Sequence, residues 1–92
     1  MTSEIRNNTA RHRFELDVDD GQIAVAYYQL APGVITFTHT EVPRQLWGRG
    51  IGSKVAQGAF DYARAQGLKV VARCPFMSAY VAKHPEFNDL LL

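Results

Sequence analysis

The chain has 92 residues, of which 47% are hydrophobic and 21% charged, with a formal net charge of +1. A chain of this length has room for about one small domain, and the composition is that of an ordinary folded protein rather than a disordered one. The near balance of charge argues against a general nucleic-acid-binding surface, and the single cysteine excludes an internal disulfide or a cysteine-based zinc site.

The first half of the chain carries the pattern of three strands. Residues 1–10 are polar and predict a frayed start, without the apolar stretch of a secretory signal. Alternating and β-branched runs predict strands over residues 12–18, 22–30 and 34–42, separated by turn signals at residues 19–21 and 32–33. We expect these three strands to form an antiparallel meander.

The second half begins with helical spacing. Pro43 ends the third strand, the apolar residues of segment 51–66 fall at helical intervals, and Gly67 is a helix stop. Residues 68–74 predict a fourth strand, and residues 76–83 a short helix. No apolar run reaches the roughly 18 residues of a membrane span. With one cysteine and no such run, we expect a cytoplasmic protein that does not enter membranes.

The order β-β-β-α-β-α defines the expected fold class. The third strand, the helix and the fourth strand form one βαβ unit, whose right-handed crossover makes its two strands parallel. We therefore predict a single α/β (α+β) domain over residues 1–92, with a mainly antiparallel four-stranded sheet, one parallel pair and two helices.

The strongest chemical signal is the run Trp47-Gly48-Arg49-Gly50-Ile51-Gly52-Ser53, between a strand and a helix. Closely spaced glycines let the backbone approach a ligand, and the first turn of a helix offers unpaired N–H groups and partial positive charge. This pattern predicts a phosphate or pyrophosphate site. The spacing fits neither a Walker A loop nor a dinucleotide fingerprint. The competing interpretation is a flexible loop that binds nothing.

This run, together with the preceding Val42, resembles the acetyl-CoA motif of the GNAT superfamily of N-acetyltransferases, an Arg/Gln-x-x-Gly-x-Gly/Ala loop. Trp47 stands where the family has Arg or Gln when Gly50 and Gly52 are the motif glycines, and a second register starts at Gln45. Segments 39–43 and 74–85 extend the resemblance over about residues 12 to 90. They resemble the compact, stand-alone branch, which implies a GNAT-like fold without the family's first strand and early helices.

The resemblance implies acetyl-CoA or CoA as cosubstrate, an amine as acceptor, and no metal. The main-chain amides of the loop residues Trp47, Gly48, Arg49, Gly50, Ile51, Gly52 and Ser53 would hold the CoA pyrophosphate. Main-chain groups of Glu41 and Val42 would pair with the pantetheine arm like an added strand. Lys83 is a further candidate for a CoA phosphate, although an exposed helix lysine is usually only solvated.

Three residues are candidates for the transfer chemistry. His39 lies near the end of the third strand, in phase with Phe37, and free imidazole titrates near neutral pH, so it is a candidate general base. Cys74 ends the fourth strand and would face the same side, as a nucleophile or a proton-transfer group. By resemblance, Tyr80 would protonate the departing thiolate. Each has a structural alternative: a packed strand histidine, a small buried hydrophobe and a tyrosine that points elsewhere.

The sequence therefore predicts an acetyl-CoA-binding N-acetyltransferase acting by direct attack of an amine. An acetyl-cysteine intermediate on Cys74 is a second route. One alternative function is a CoA- or acyl-CoA-binding module with little or no turnover, and another is a small interaction domain whose glycine loop has no ligand. The acceptor and the oligomeric state stay open.

Overall fold

The computed structural model describes residues 5–18 and 21–92. Within these ranges the chain forms β1 (Ile5–Asn8), β2 (Arg13–Asp17), β3 (Ile23–Ala31), β4 (Val34–Glu41), helix α1 (Ile51–Ala65), β5 (Lys69–Ala72) and helix α2 (Pro75–Ala82). Short 3-10 segments occupy Thr9–Arg11, Arg44–Leu46 and Pro85–Leu90. None of the helices in these ranges is long and apolar enough to cross a membrane.

The described strands form one mixed sheet in the order β1-β2-β3-β4-β5. Neighbouring strands from β1 to β4 are antiparallel, whereas β4 and β5 are parallel, with Phe37 opposite Ala72. The meander and the parallel pair are thereby confirmed. The sheet has a fifth strand that the sequence did not predict.

That additional strand is β1, and it corrects the expectation of a frayed start for residues 5–8. Ile5 packs against Gly58 of α1, where the absence of a side chain lets the strand come close. The Tyr28 hydroxyl donates to Asn7 Oδ1 at 2.5 Å, and Arg6 forms an ion pair with Glu15. The largely polar strand β1 is thus held in place by contacts with residues that are distant from it in the sequence. Residues 1–4, and the predicted turn residues Asp19 and Asp20, lie outside the described residues.

Aromatic side chains show that both helices pack on the same face of the sheet. The Phe37 and Phe60 rings lie 5.6 Å apart between β4 and α1, and the Phe14 and Tyr62 rings 5.1 Å apart between β2 and α1. Tyr80 of α2 stacks on Phe60 at 5.8 Å. Each fully buried ring stabilises the fold by about 1.5–3 kcal/mol. This face of the sheet is the core.

The opposite face carries a connected polar network. Glu15 is only 4% exposed and accepts hydrogen bonds from Arg13 at 2.6 Å, Asn8 at 3.0 Å and Arg6 at 3.1 Å. The Arg13 hydrogen bond is the largest cause that lowers the pKa of Glu15. Arg13 also donates to the Tyr27 hydroxyl at 2.9 Å. The sheet therefore has one apolar, helix-covered face and one polar face.

Candidate functional site

The two parallel strands separate at their carboxyl ends. Phe37 is the last residue of β4 paired with β5, and its carbonyl accepts from the N–H groups of both Arg73 and Cys74 at 3.1 Å. β4 continues to Glu41, paired only with β3 among the strands of the described sheet. The main chain of residues 38–41 is therefore not paired with β5. The expected strand-like pairing with a pantetheine arm requires such an unpaired segment.

A cleft of about 740 Å³ opens at this end of the sheet. It lies between the end of β4, the glycine loop and the beginning of both helices. Its lining residues are Ile23, Thr40, Glu41, Val42, Pro43, Leu46, Trp47, Gly48, Gly50, Ile51, Gly52, Ser53 and Phe76. The cleft thus brings together Glu41, Val42 and most of the loop residues that the sequence predicted for CoA.

The glycine loop has the backbone that its sequence suggests. Gly48 and Gly50 have φ angles of 82° and 74°, a left-handed conformation that favours glycine. A Cβ at either position would meet no atom within 4 Å, so both glycines face open space. Gly50 caps α1 and has no side chain that could accept from the first-turn N–H groups. An anion in the cleft could approach these amides closely.

Gly52 has a different role from the other two glycines. A Cβ on Gly52 would lie 2.5 Å from Cζ of Phe76, so the ring of the second helix rests directly on the first turn of α1. The expectation that all three glycines serve ligand approach is therefore incomplete. Sequence reasoning missed Phe76 as a cleft residue, although Pro75 marks a helix start and places Phe76 in its first turn.

Trp47 links the loop to the end of β4. Its indole Nε1–H donates to the Val42 carbonyl at 2.9 Å, and the Arg44 guanidinium lies 5.4 Å from the centre of its ring. The residue is 64% exposed, so it adds little to the core. Arg49 is exposed on the same loop. Lys83 is exposed at the far end of α2 and does not line the cleft.

His39 lies on the polar face of the sheet. Its ring stacks on Tyr27 at 6.2 Å, and its Nε2 lies 2.9 Å from Oε2 of Glu41. The neutral ring that donates from Nε2 to this carboxylate keeps a free lone pair on Nδ1. The side chain is exposed. Geometry thus leaves His39 open to solvent and oriented by a carboxylate, as a general base would be, although it does not line the cleft.

Cys74 lies on the core face. It is 3% exposed, and its Sγ is 3.4 Å from Oγ1 of Thr40. Thr40 pairs with Ala26, whereas His39 pairs with Tyr27, and adjacent residues of a strand point to opposite faces. The expectation that His39 and Cys74 face the same side is therefore wrong. Thr40, which the sequence did not single out as a site residue, is the β4 side chain beside the thiol.

A register shift in β4 explains this difference. Phe37 pairs with Tyr28 and His39 with Tyr27, which leaves Thr38 as an extra residue between them. Such a bulge reverses the alternation of side chains, so His39 is no longer in phase with Phe37.

Tyr80 is part of the core rather than of the cleft lining. Its ring stacks on His84 at 4.0 Å and on Phe60 at 5.8 Å. Burial raises the pKa of its hydroxyl. Phe76, one turn earlier on α2, occupies the place next to the loop. Within residues 5–18 and 21–92, no group of His, Cys, Asp and Glu side chains could hold a metal ion.

The fold and the site together define a class of protein. A mixed sheet whose parallel pair separates beside a glycine loop, with that loop opening the intervening helix, is the GNAT-like arrangement that the sequence resembles. A sequence profile described as GCN5-related N-acetyl-transferase matches residues 13–90. The chain belongs to this family.

Relatives and a solved structure agree with this assignment. The chain is 25% identical over 84 residues to Protein NATD1 of Gallus gallus, covering 89% of this chain and 76% of that protein. It is 32% identical over 59 residues to Protein NATD1 of Homo sapiens, covering 64% of this chain and 52% of that protein. The solution NMR structure of a GCN5-like candidate N-acetyltransferase from Staphylococcus aureus matches with a TM-score of 0.74 and 27% identity, over 97% of this chain and 87% of that one.

Proposed function

We propose that this protein binds acetyl-CoA and transfers the acetyl group to an amine by direct attack. The observation that supports this most is the cleft, where the end of β4 that is unpaired with β5 meets the start of α1, which has no side-chain cap. Membership of the GCN5-related family supports the same cosubstrate and the same kind of reaction.

The CoA diphosphate would lie at the glycine loop. First-turn N–H groups of α1 and the helix dipole both favour an anion there, and Gly50 leaves space for it. The pantetheine arm would run along residues 38–41 and Val42, where β5 has left β4. The thioester would then lie near the point of separation, close to His39 and Cys74.

Direct transfer needs one proton acceptor and one proton donor. The amine nitrogen forms a bond to the acetyl carbon, and the bond from that carbon to the CoA sulfur breaks. His39 Nδ1 would take the proton that the amine loses, while Glu41 holds the ring through Nε2. The thiolate then takes a proton from solvent or from His39. Tyr80 remains the resemblance-based candidate for this donor, although its packing keeps it out of the cleft lining.

The acetyl-cysteine route is less well supported by the geometry. Cys74 is buried and its Sγ interacts with the Thr40 hydroxyl. A ping-pong enzyme requires a thiol that both the thioester and the acceptor can reach. We therefore favour direct attack, with Cys74 as a buried core residue behind Thr40.

A CoA-binding module with little turnover is the second candidate function. The separation of His39 and Cys74 onto opposite faces, and the burial of Tyr80, leave one of the three predicted catalytic side chains exposed. Such a protein would bind CoA and acetyl-CoA equally well and would acetylate no amine.

Thermal unfolding with CoA and acetyl-CoA tests the binding step. Saturation at about 100 times Kd should raise the melting temperature on the order of 10 °C in a domain of this size. ADP at equal concentration shows how much of the shift the nucleoside diphosphate alone produces. If neither CoA nor acetyl-CoA shifts the transition, the proposed site does not exist.

Turnover of acetyl-CoA with a panel of primary amines tests the chemistry. His39→Gln should lower kcat about 100-fold. His84→Gln is a matched control, because His84 also pairs with a glutamate two residues later but follows α2 rather than lying at the end of β4. Cys74→Ala should retain turnover, and intact mass should show no acetylated protein intermediate. Binding without turnover on any amine would favour the binding module.

A further inference from the structure

Trp47 makes a contact that neither its burial nor the general features of a glycine loop explain. The residue is 64% exposed, yet its indole N–H donates to the carbonyl of Val42 at 2.9 Å. This bond crosses from the start of the glycine loop to the end of β4. It therefore joins the two parts of the cleft that would hold different parts of one CoA molecule.

We propose that Trp47 is a positioning residue that sets the distance between the glycine loop and the end of β4. This inference rests on the proposed function, because it concerns simultaneous binding of the CoA diphosphate at the loop and of the pantetheine arm at β4. The diphosphate and the arm are joined by a fixed number of bonds, so one ligand can span the two segments only over a limited range of distances. The protein must hold its two binding segments at a matching distance.

Gly48 and Gly50 contribute no side-chain contacts to the loop at this point. Gly48 and Gly50 have left-handed backbone angles, and a Cβ at either would meet no atom within 4 Å. Leu46 anchors the preceding 3-10 segment in the core, with 4% exposure, and Ile51 anchors the helix. The Trp47 indole ties the intervening segment to β4.

The arrangement also fixes the direction of the indole. The Arg44 guanidinium lies 5.4 Å from the centre of the ring, a cation–π distance, and the Trp47 backbone N–H donates to the Arg44 carbonyl at 3.1 Å. The backbone bond fixes where the side chain starts and the guanidinium contacts the ring, so the indole N–H is oriented towards the Val42 carbonyl, next to the main chain of Glu41.

Two variants separate positioning from mere packing. Trp47→Phe keeps an aromatic ring over which Arg44 can lie but removes the N–H donor. Trp47→Gln removes the ring but supplies an amide N–H of similar reach. Affinities are measured for CoA, which spans both segments, and for ADP, which carries a diphosphate without the arm. Chemical-shift titration of the Gly48 and Gly50 amides reports weak ADP binding as well as tight CoA binding.

The proposal predicts a selective effect. Trp47→Phe should weaken CoA about five- to tenfold, the range expected for one lost hydrogen bond, and ADP less than about twofold. Trp47→Gln should recover most of the CoA affinity. Equal losses for the two ligands would show a general effect on the loop and overturn the proposal, as would unchanged CoA affinity in Trp47→Phe. If the wild-type protein binds ADP but not CoA, or binds neither, the proposed function itself fails.

Discussion

Replacing Gly52 with alanine tests whether the start of α1 is shaped to receive the Phe76 ring. The new Cβ would lie 2.5 Å from Cζ and 3.0 Å from Cε1 of Phe76, closer than such atoms pack in proteins. The ring must therefore move. Phe76 is 38% exposed and the nearest atom is the tip of its side chain, so the ring can turn towards solvent without forcing the helices apart.

Two opposing terms set the expected change in stability. Alanine is favoured over glycine inside a helix by about 1 kcal/mol. Full burial of a phenylalanine contributes about 1.5–3 kcal/mol, and the partly buried Phe76 would lose on the order of 1–2 kcal/mol by turning outward. In the wild-type background Gly52→Ala should therefore be neutral or destabilising by up to about 1 kcal/mol. In a Phe76→Ala background, where the clash is absent, it should stabilise by about 1 kcal/mol.

Urea unfolding of the four proteins measures this coupling directly. The cycle should give an interaction free energy of about 1–2 kcal/mol between the two sites. A coupling within about 0.3–0.5 kcal/mol of zero would mean that the ring does not rest on Gly52. It would also remove the reason for assigning this glycine to packing rather than to ligand approach.

Three further predictions concern the rest of the fold. Gly58→Ala should lower the free energy of unfolding, measured in urea, by about 1–2 kcal/mol, because the new Cβ would meet three side-chain atoms of Ile5 within 3.1 Å. Ile5→Ala should relieve this loss. Independent effects of the two substitutions would contradict the contact. The pKa of Glu15 is lowered mainly by Arg13, so its stabilisation is present above the unfolded carboxyl pKa and lost as pH falls through the folded one. The free energy of unfolding should therefore fall more between about pH 7 and pH 3 in the wild type than in Glu15→Gln. Parallel pH dependences of the two proteins would count against the buried network. Tyr80→Phe should keep turnover within about twofold, whereas a tenfold fall at unchanged melting temperature would place its hydroxyl at the reacting atoms.

Regular elements with a buried stripe could be predicted from the sequence. The residues that the spacing predicts for the apolar stripe of α1 are Ile51, Val55, Ala59, Tyr62 and Ala63; all are buried except Tyr62, which is partly buried. Gly67 has the left-handed φ of 68° that ends a helix. These signals are local, since each depends on residue spacing within one segment. β1 carries no such signal. It exists because its backbone pairs with β2 and because Ile5 meets a glycine far along the chain.

The site divides in the same way between local and non-local information. The glycine loop could be located because helix start, glycine spacing and strand end are adjacent in sequence. The face of the sheet on which His39 lies could not be predicted from the sequence. The bulge at Thr38 is marked by neither proline nor glycine, and it depends on pairing with Tyr27 and Tyr28. The packing of Tyr80 was likewise hidden, since it is set by Phe60 on a different helix.

In the proposed reaction, the distribution of side chains over the two faces constrains how an amine could reach the acetyl group. Both helices cover the face on which Cys74 lies, and that thiol is 3% exposed. His39, on the other face, is exposed beside Glu41 at the point where β4 extends beyond β5. An acceptor arriving from solvent therefore meets His39 before it can meet Cys74. Direct attack from the polar face, with His39 as the base, requires no rearrangement of the core, whereas an acetyl-cysteine route would require one.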